Sequence, residues 1–256
     1  MSAPTQDPFV ASLLQRITAD PAVVGLVLVG SSADVARRDA WSDHDFLMIV
    51  ESGRQESYRT DLSWLPNAED IGLWFRETAH GLKVLYRSGL LLEFAVFDRD
   101  EFATCAVNHF AVALDRGGIT ELAEQVHGRT VSTTPIDRLQ QFRFFLSLVY
   151  VGVGRARRGE VLSGGVFVRT YAAERLLRLL TDTLVTTDRA PLDVLDPWRR
   201  FEQVWPEVGA AVAAALALPV EAAARALLEV AEAHLPAGWP DYPADDTALV
   251  RELLDW

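Results

Sequence analysis

At 256 residues the chain is long enough for one large domain or two small ones, each with its own core. Half of it is apolar and 23% is charged, which excludes a disordered polyelectrolyte, and no apolar run approaches the roughly 18–20 residues of a membrane span. The net charge of −12 argues against a nucleic-acid partner, whose phosphates call for basic surface, while it suits a cationic small molecule.

Residues 23–29 form a short β-branched, uncharged run ending in Gly30, the pattern of a buried strand. A polar stretch follows, and residues 43–50 give a second strand. Residues 71–78, 82–87 and 90–97 read as three more, separated by breaks short enough for hairpins, so a mixed sheet is expected. The texture changes near residues 131–136. Thr134-Pro135-Ile136-Asp137 reads as a helix start with a hydroxyl cap. Leu139, Phe142, Leu146, Val149 and Val153 then recur at spacings of three and four, the mark of one apolar helical face. Further helices are expected from about Ser163, from Asp196-Pro197, over 220–235 and over 244–256. The predicted fold class is α+β: a mixed β-sheet flanked by helices over 1–130, followed by an α-helical bundle over 131–256.

Cys105 is the only cysteine, which leaves no disulfide framework and no cysteine zinc site. The N-terminus lacks the basic start and apolar stretch of a secretory signal, so a reducing cytoplasm is the expected compartment. Lys83 is the only lysine among 24 basic residues, a bias that reads as codon usage and not chemistry.

The chemically informative stretch runs from Gly30-Ser31-Ser32 to Ser42-Asp43-His44-Asp45. Glycine after a strand lets the backbone approach a ligand closely. Asp43 and Asp45 alternate along a strand, so both carboxylates project to one face and His44 to the other. Two like charges side by side repel, and a divalent metal on oxygen ligands relieves that repulsion. Glu93 adds a third carboxylate inside the apolar run 90–97, where an unpaired acid is costly and calls for an arginine, a metal or a water-filled site.

In this order and kind, Gly30-Ser31, eleven intervening residues, Asp43-His44-Asp45 and Glu93 resemble the signature of the polymerase-β-type nucleotidyltransferase superfamily. Ser42 matches the frequent Ser-Asp-x-Asp version, and His44 departs from the usual apolar residue. The layout of an α/β half before a helical half is most like the aminoglycoside and lincosamide nucleotidyltransferases, the antibiotic adenylyltransferases. Asp196-Pro197-Trp198-Arg199-Arg200-Phe201-Glu202 and Trp205-Pro206-Glu207 are similar to helical-domain sequence in such proteins.

The resemblance implies a catalytic domain over 1–130 and a helical substrate-binding domain over 131–256. It implies two Mg²⁺ ions held by Asp43, Asp45 and Glu93, with ATP or another nucleoside triphosphate as co-substrate. Gly30, Ser31, Ser32 and Ser42 would contact the nucleotide. The expected reaction moves a nucleoside monophosphate, AMP in the first instance, onto a hydroxyl of a small acceptor such as an aminoglycoside or lincosamide, releasing pyrophosphate. Glu93 and Glu174 are the two candidates for the base, Glu174 lying on a stripe with Phe167 and Tyr171 or simply pairing with Arg178. A protein-adenylylating regulator and a catalytically inactive nucleotide-binding module are the alternatives. No Gly-x₄-Gly-Lys-Ser/Thr sequence is present, which argues against a P-loop enzyme.

Overall fold

The computed structural model describes residues 7–33, 43–131 and 135–256, and the chain divides into two compact units, residues 1–133 and 134–256. In the first unit, α1 (Pro8–Ile17) starts where the Asp7 carboxylate accepts hydrogen bonds from the N–H groups of Phe9 and Val10, at 2.7 and 3.0 Å. Val10, Leu13 and Ile17, spaced by three and four, form its buried face. Next come β1 (Val23–Val29), the short α2 (Gly30–Ala33), β2 (His44–Val50) and α3 (Gln55–Thr60). The meander β3 (Ile71–Arg76), β4 (Gly81–Tyr86) and β5 (Leu91–Phe97) leads to α4 (Arg99–Phe102), β6 (Phe110–Asp115) and α5 (Ile119–Val131).

The strands form one six-stranded sheet in the order β3-β4-β5-β2-β1-β6. Among the described residues only the central β2–β5 pair is parallel, so the sheet is mixed. Strand alternation divides the side chains between two cores. On one face Phe46, Met48, Leu82, Val84 and Phe94 pack with Leu13 and Tyr58, the Phe46 and Phe94 rings stacking at 4.8 Å. On the other, Val27, Ile49, Ala95 and Phe97 pack with Phe102, Ile119, Ala123 and Val126. Asp45 and Glu93 share this second face by alternation, Asp45 with Leu47 and Ile49 and Glu93 with Ala95 and Phe97.

Asp115 closes β6 and holds the start of α5. Its carboxylate accepts from the N–H groups of Gly118, Ile119 and Thr120 at 2.9–3.0 Å and from the Thr120 hydroxyl at 2.6 Å. The Thr120 hydroxyl, then the backbone donors, hold the carboxyl down to about 2 from an ordinary 3.8. A depressed folded-state value means stabilisation that is complete above the unfolded value and disappears as pH falls through the folded one. Asp115→Ala is therefore expected to cost about 1 kcal/mol at neutral pH. Urea midpoints measured against pH should show parent and variant converging below 3.8 and meeting near pH 2.

In the second unit every regular element among the described residues is helical: α6 (Arg138–Arg157), α7 (Val161–Val166), α8 (Ala173–Thr183), α9 (Phe201–Val204), α10 (Pro206–Leu216), α11 (Val220–Gly238) and α12 (Ala244–Leu253). A π-helical segment, Phe167–Ala172, joins α7 to α8. Phe142, Phe145, Val149 and Val153 of α6 share one core with Leu176 and Leu180 of α8 and Leu227 and Leu235 of α11.

Several boundaries differ from the sequence expectation. The first of the strands expected in the meander stops at Arg76, because the N–H groups of Glu77 and Thr78 turn back onto the Gly81 carbonyl. The cap of α6 is Asp137, which accepts from Gln140 N–H at 3.0 Å; Thr134 lies outside the described residues. Asp196-Pro197 opens a turn instead of a helix: the Asp196 carboxylate accepts from Trp198 N–H, and Arg200 sits at φ 63°. The helical path begins only at Phe201. Asp98 caps α4 in a reciprocal box with Glu101.

Candidate metal centre

The site is assembled where β1 ends. Gly30 turns the chain at φ +56°, a conformation that glycine adopts without strain. A Cβ there would stand 2.6 Å from Oδ2 of Asp45, so the glycine also makes room for that carboxylate. In α2, the buried Ser32 accepts a hydrogen bond from the Asp45 N–H through its Oγ at 2.9 Å, tying the turn to the start of β2. Ser31 lies in α2; its side chain and the whole of Ser42 fall outside the described residues.

Sheet register does the rest. Asp45 stands opposite Glu93 across the parallel β2–β5 pair, and Glu93 stands opposite Lys83 across the antiparallel β5–β4 pair. Asp43 precedes β2 by one residue. Asp43, Asp45 and Glu93 are half-buried, and each offers a carboxylate oxygen within 4.8 Å of those of the other two. An octahedral ion with oxygen ligands at about 2.1 Å sets those ligands roughly 3–4 Å apart, so small side-chain rotations would close this set around Mg²⁺. Hard oxygen donors without nitrogen or sulfur favour that ion over zinc or copper. His44 projects to the opposite face, where Nε2 lies 3.2 Å from Oδ2 of Asp7 and the ring meets Phe9 edge-on at 5.0 Å.

The partner expected for Glu93 was an arginine, a metal or water; the structure supplies a lysine. Lys83 Nζ donates to Oε1 of Glu93 at 2.8 Å and reaches Oε1 of Glu77 at 3.2 Å. The bond to Glu93, then the one to Glu77, raises the ammonium pKa above its ordinary value. The chain's single lysine is thus at the acidic centre, not scattered on the surface by codon usage. Two signals were present in the sequence: the solitary lysine, and the short break between the strands carrying it and Glu93.

Glu174 belongs to the other unit. It lies in the first turn of α8, where Oε1 accepts from Arg178 at 2.9–3.0 Å, four residues on. The π-helical segment before it brings Phe167 and Tyr171 into edge contact at 5.6 Å, with the Arg155 guanidinium 4.1 Å over the Phe167 ring. Among the described residues no helix is long and apolar enough to cross a membrane.

No family model and no curated protein matches the chain. Among solved structures, an aminoglycoside 6-adenyltransferase from Bacillus subtilis is similar at a TM-score of 0.40 and 11% identity, over 100% of this chain and 98% of that one. The Bradyrhizobium diazoefficiens CD-NTase CdnG in complex with GTP is similar at a TM-score of 0.31 and 12% identity, over 99% of this chain and 94% of that one. Both likenesses are distant.

Proposed function

We infer that the chain is a Mg²⁺-dependent nucleotidyltransferase that moves AMP from ATP onto a hydroxyl of a small acceptor and releases pyrophosphate. The observation that carries this reading is the convergence of Asp43, Asp45 and Glu93 beside the Gly30 turn, brought about by strand register between residues far apart in sequence. Bound Mg²⁺ would supply the positive charge that favours the acceptor oxygen as nucleophile and neutralises the triphosphate. The three carboxylates hold that charge in place. The Gly30-Ser31 turn lies beside them to receive the phosphates, with Ser32 as its brace. In the reaction a bond forms between the acceptor oxygen and the α-phosphorus, the bond from that phosphorus to the β-phosphate bridge breaks, and the hydroxyl proton passes to a carboxylate base. Glu93 and Glu174 are the two candidates for that base.

Charge and layout support a choice of acceptor to test first. A chain of net charge −12 favours a cationic acceptor, and the all-helical second unit suits a substrate-binding role, so an aminoglycoside is the first candidate and a lincosamide the second. Pyrophosphate release from ATP should appear on adding members of one class and be lost with chelator. A strain expressing the chain should gain resistance to that class. No release with either class, together with unchanged susceptibility, would remove the antibiotic acceptor from the reading.

A further inference from the structure

Lys83 is a fixed cation placed against one ligand of the candidate metal centre. It lies in the middle of β4, held by strand pairing directly opposite Glu93, and its ammonium is shared between Glu93 at 2.8 Å and Glu77 at 3.2 Å. Glu93 in turn is opposite Asp45, so cation, shared ligand and second ligand form one row across three adjacent strands. Glu77 follows β3 and is about half exposed, on the side of Lys83 away from the carboxylate triad in the order of the strands. Every other basic side chain of the chain is an arginine or a histidine. An ammonium is a compact charge on a flexible stem with three rotatable donors, so it can leave one carboxylate for another; a guanidinium fork is slower to exchange a bidentate partner.

We propose that Lys83 is a positioning residue that competes with the divalent ion for Glu93 and withdraws toward Glu77 when the ion binds, so that the Lys83–Glu77 pair sets the metal affinity of the site. This rests on the assignment of Asp43, Asp45 and Glu93 as metal ligands. The two partners of Lys83 then have opposite effects. Loss of the ammonium frees Glu93 from its ion pair with Lys83. Loss of the Glu77 carboxylate removes one of the two partners of the ammonium and biases it toward Glu93.

The test is direct binding of Mn²⁺ to the full chain, followed by electron paramagnetic resonance of the free ion, with circular dichroism to verify folding of each variant. Lys83→Met is expected to tighten Mn²⁺ binding by about tenfold, the size of one charge-assisted hydrogen bond that the ion no longer has to displace from Glu93. Glu77→Gln is expected to weaken it by about threefold, in the range of a single exposed ion pair. In a Glu93→Gln background the effect of Lys83→Met should shrink to within about twofold, because the contact through which it acts is gone. A merely structural lysine would move both single variants in the same direction. Unchanged or weaker binding in Lys83→Met overturns the proposal, as does a full-sized effect in the Glu93→Gln background, which would show a general field and not competition for Glu93. Absence of Mn²⁺ binding in the parent chain would remove the metal centre itself, and this proposal with it.

Discussion

Asp45→Asn is expected to abolish nucleotidyl transfer, lowering turnover by at least about 10³-fold, or roughly 4 kcal/mol of transition-state stabilisation. Asp45 is the middle residue of the site: it faces Glu93 across the sheet, its backbone N–H is fixed by Ser32, and its Oδ2 occupies the space left by Gly30. Asparagine keeps the shape but replaces an anionic oxygen by a donor that cannot ligate, so the charge of the triad falls while the backbone hydrogen bond to Ser32 is untouched. The variant should unfold cooperatively and stay monodisperse, with the loss confined to metal binding and pyrophosphate release. The inactive-module reading makes the contrary forecast, since a binding protein without turnover would keep its biological effect.

Gly30→Ala should produce nearly as large a loss of activity by a different route. The left-handed backbone conformation costs an alanine about 1–2 kcal/mol. The new methyl would also stand 2.6 Å from Oδ2 of Asp45, and the end of that side chain must move away. Moving a carboxylate is cheap for folding but displaces a metal ligand. Activity is therefore expected to fall by about 10²-fold or more, the scale on which misplaced catalytic groups are felt. Gly53→Ala is the matching control. Gly53 has the same sign of φ, at +83°, with no atom within 4 Å of an added Cβ. It should lose a similar amount of stability and keep its turnover. Equal activity losses in the two variants would mean that backbone strain, not the crowding of Asp45, is responsible.

Much of the first unit could be read from residue types alone. The uncharged run before Gly30 and the runs at 43–50, 82–87 and 90–97 are strands because their apolar side chains serve two cores, one on each face of the sheet. The short breaks within the meander 71–97 left little topology there beyond hairpins. Asp43 and Asp45 were paired by the period of a strand, but the approach of Glu93 depends on the parallel register of β2 with β5, which no local pattern encodes. β6 was missed because Phe110-Ala111-Val112-Ala113-Leu114 is a short apolar run with two alanines, equally at home in a helix until it pairs with β1. The start of α9 was misplaced because Asp-Pro is a good helix opener in isolation, whereas here the Asp196 side chain bonds Trp198 and Arg200 is tied to the Pro191 carbonyl. Lys83 was set aside because its partners come from register, not from neighbouring sequence; only the pairing of β4 with β5 brings it to Glu93.

The central claim is that Asp43, Asp45 and Glu93 form a divalent-metal site serving a nucleoside triphosphate, and calorimetric titration of ATP into the chain tests it most directly. With Mg²⁺ present, ATP should bind with measurable heat; with chelator, or in Asp45→Asn, that heat should disappear. ATP binding that persists at full strength in the chelated protein or in the Asp45→Asn variant, or no binding under any of these conditions, would contradict the account.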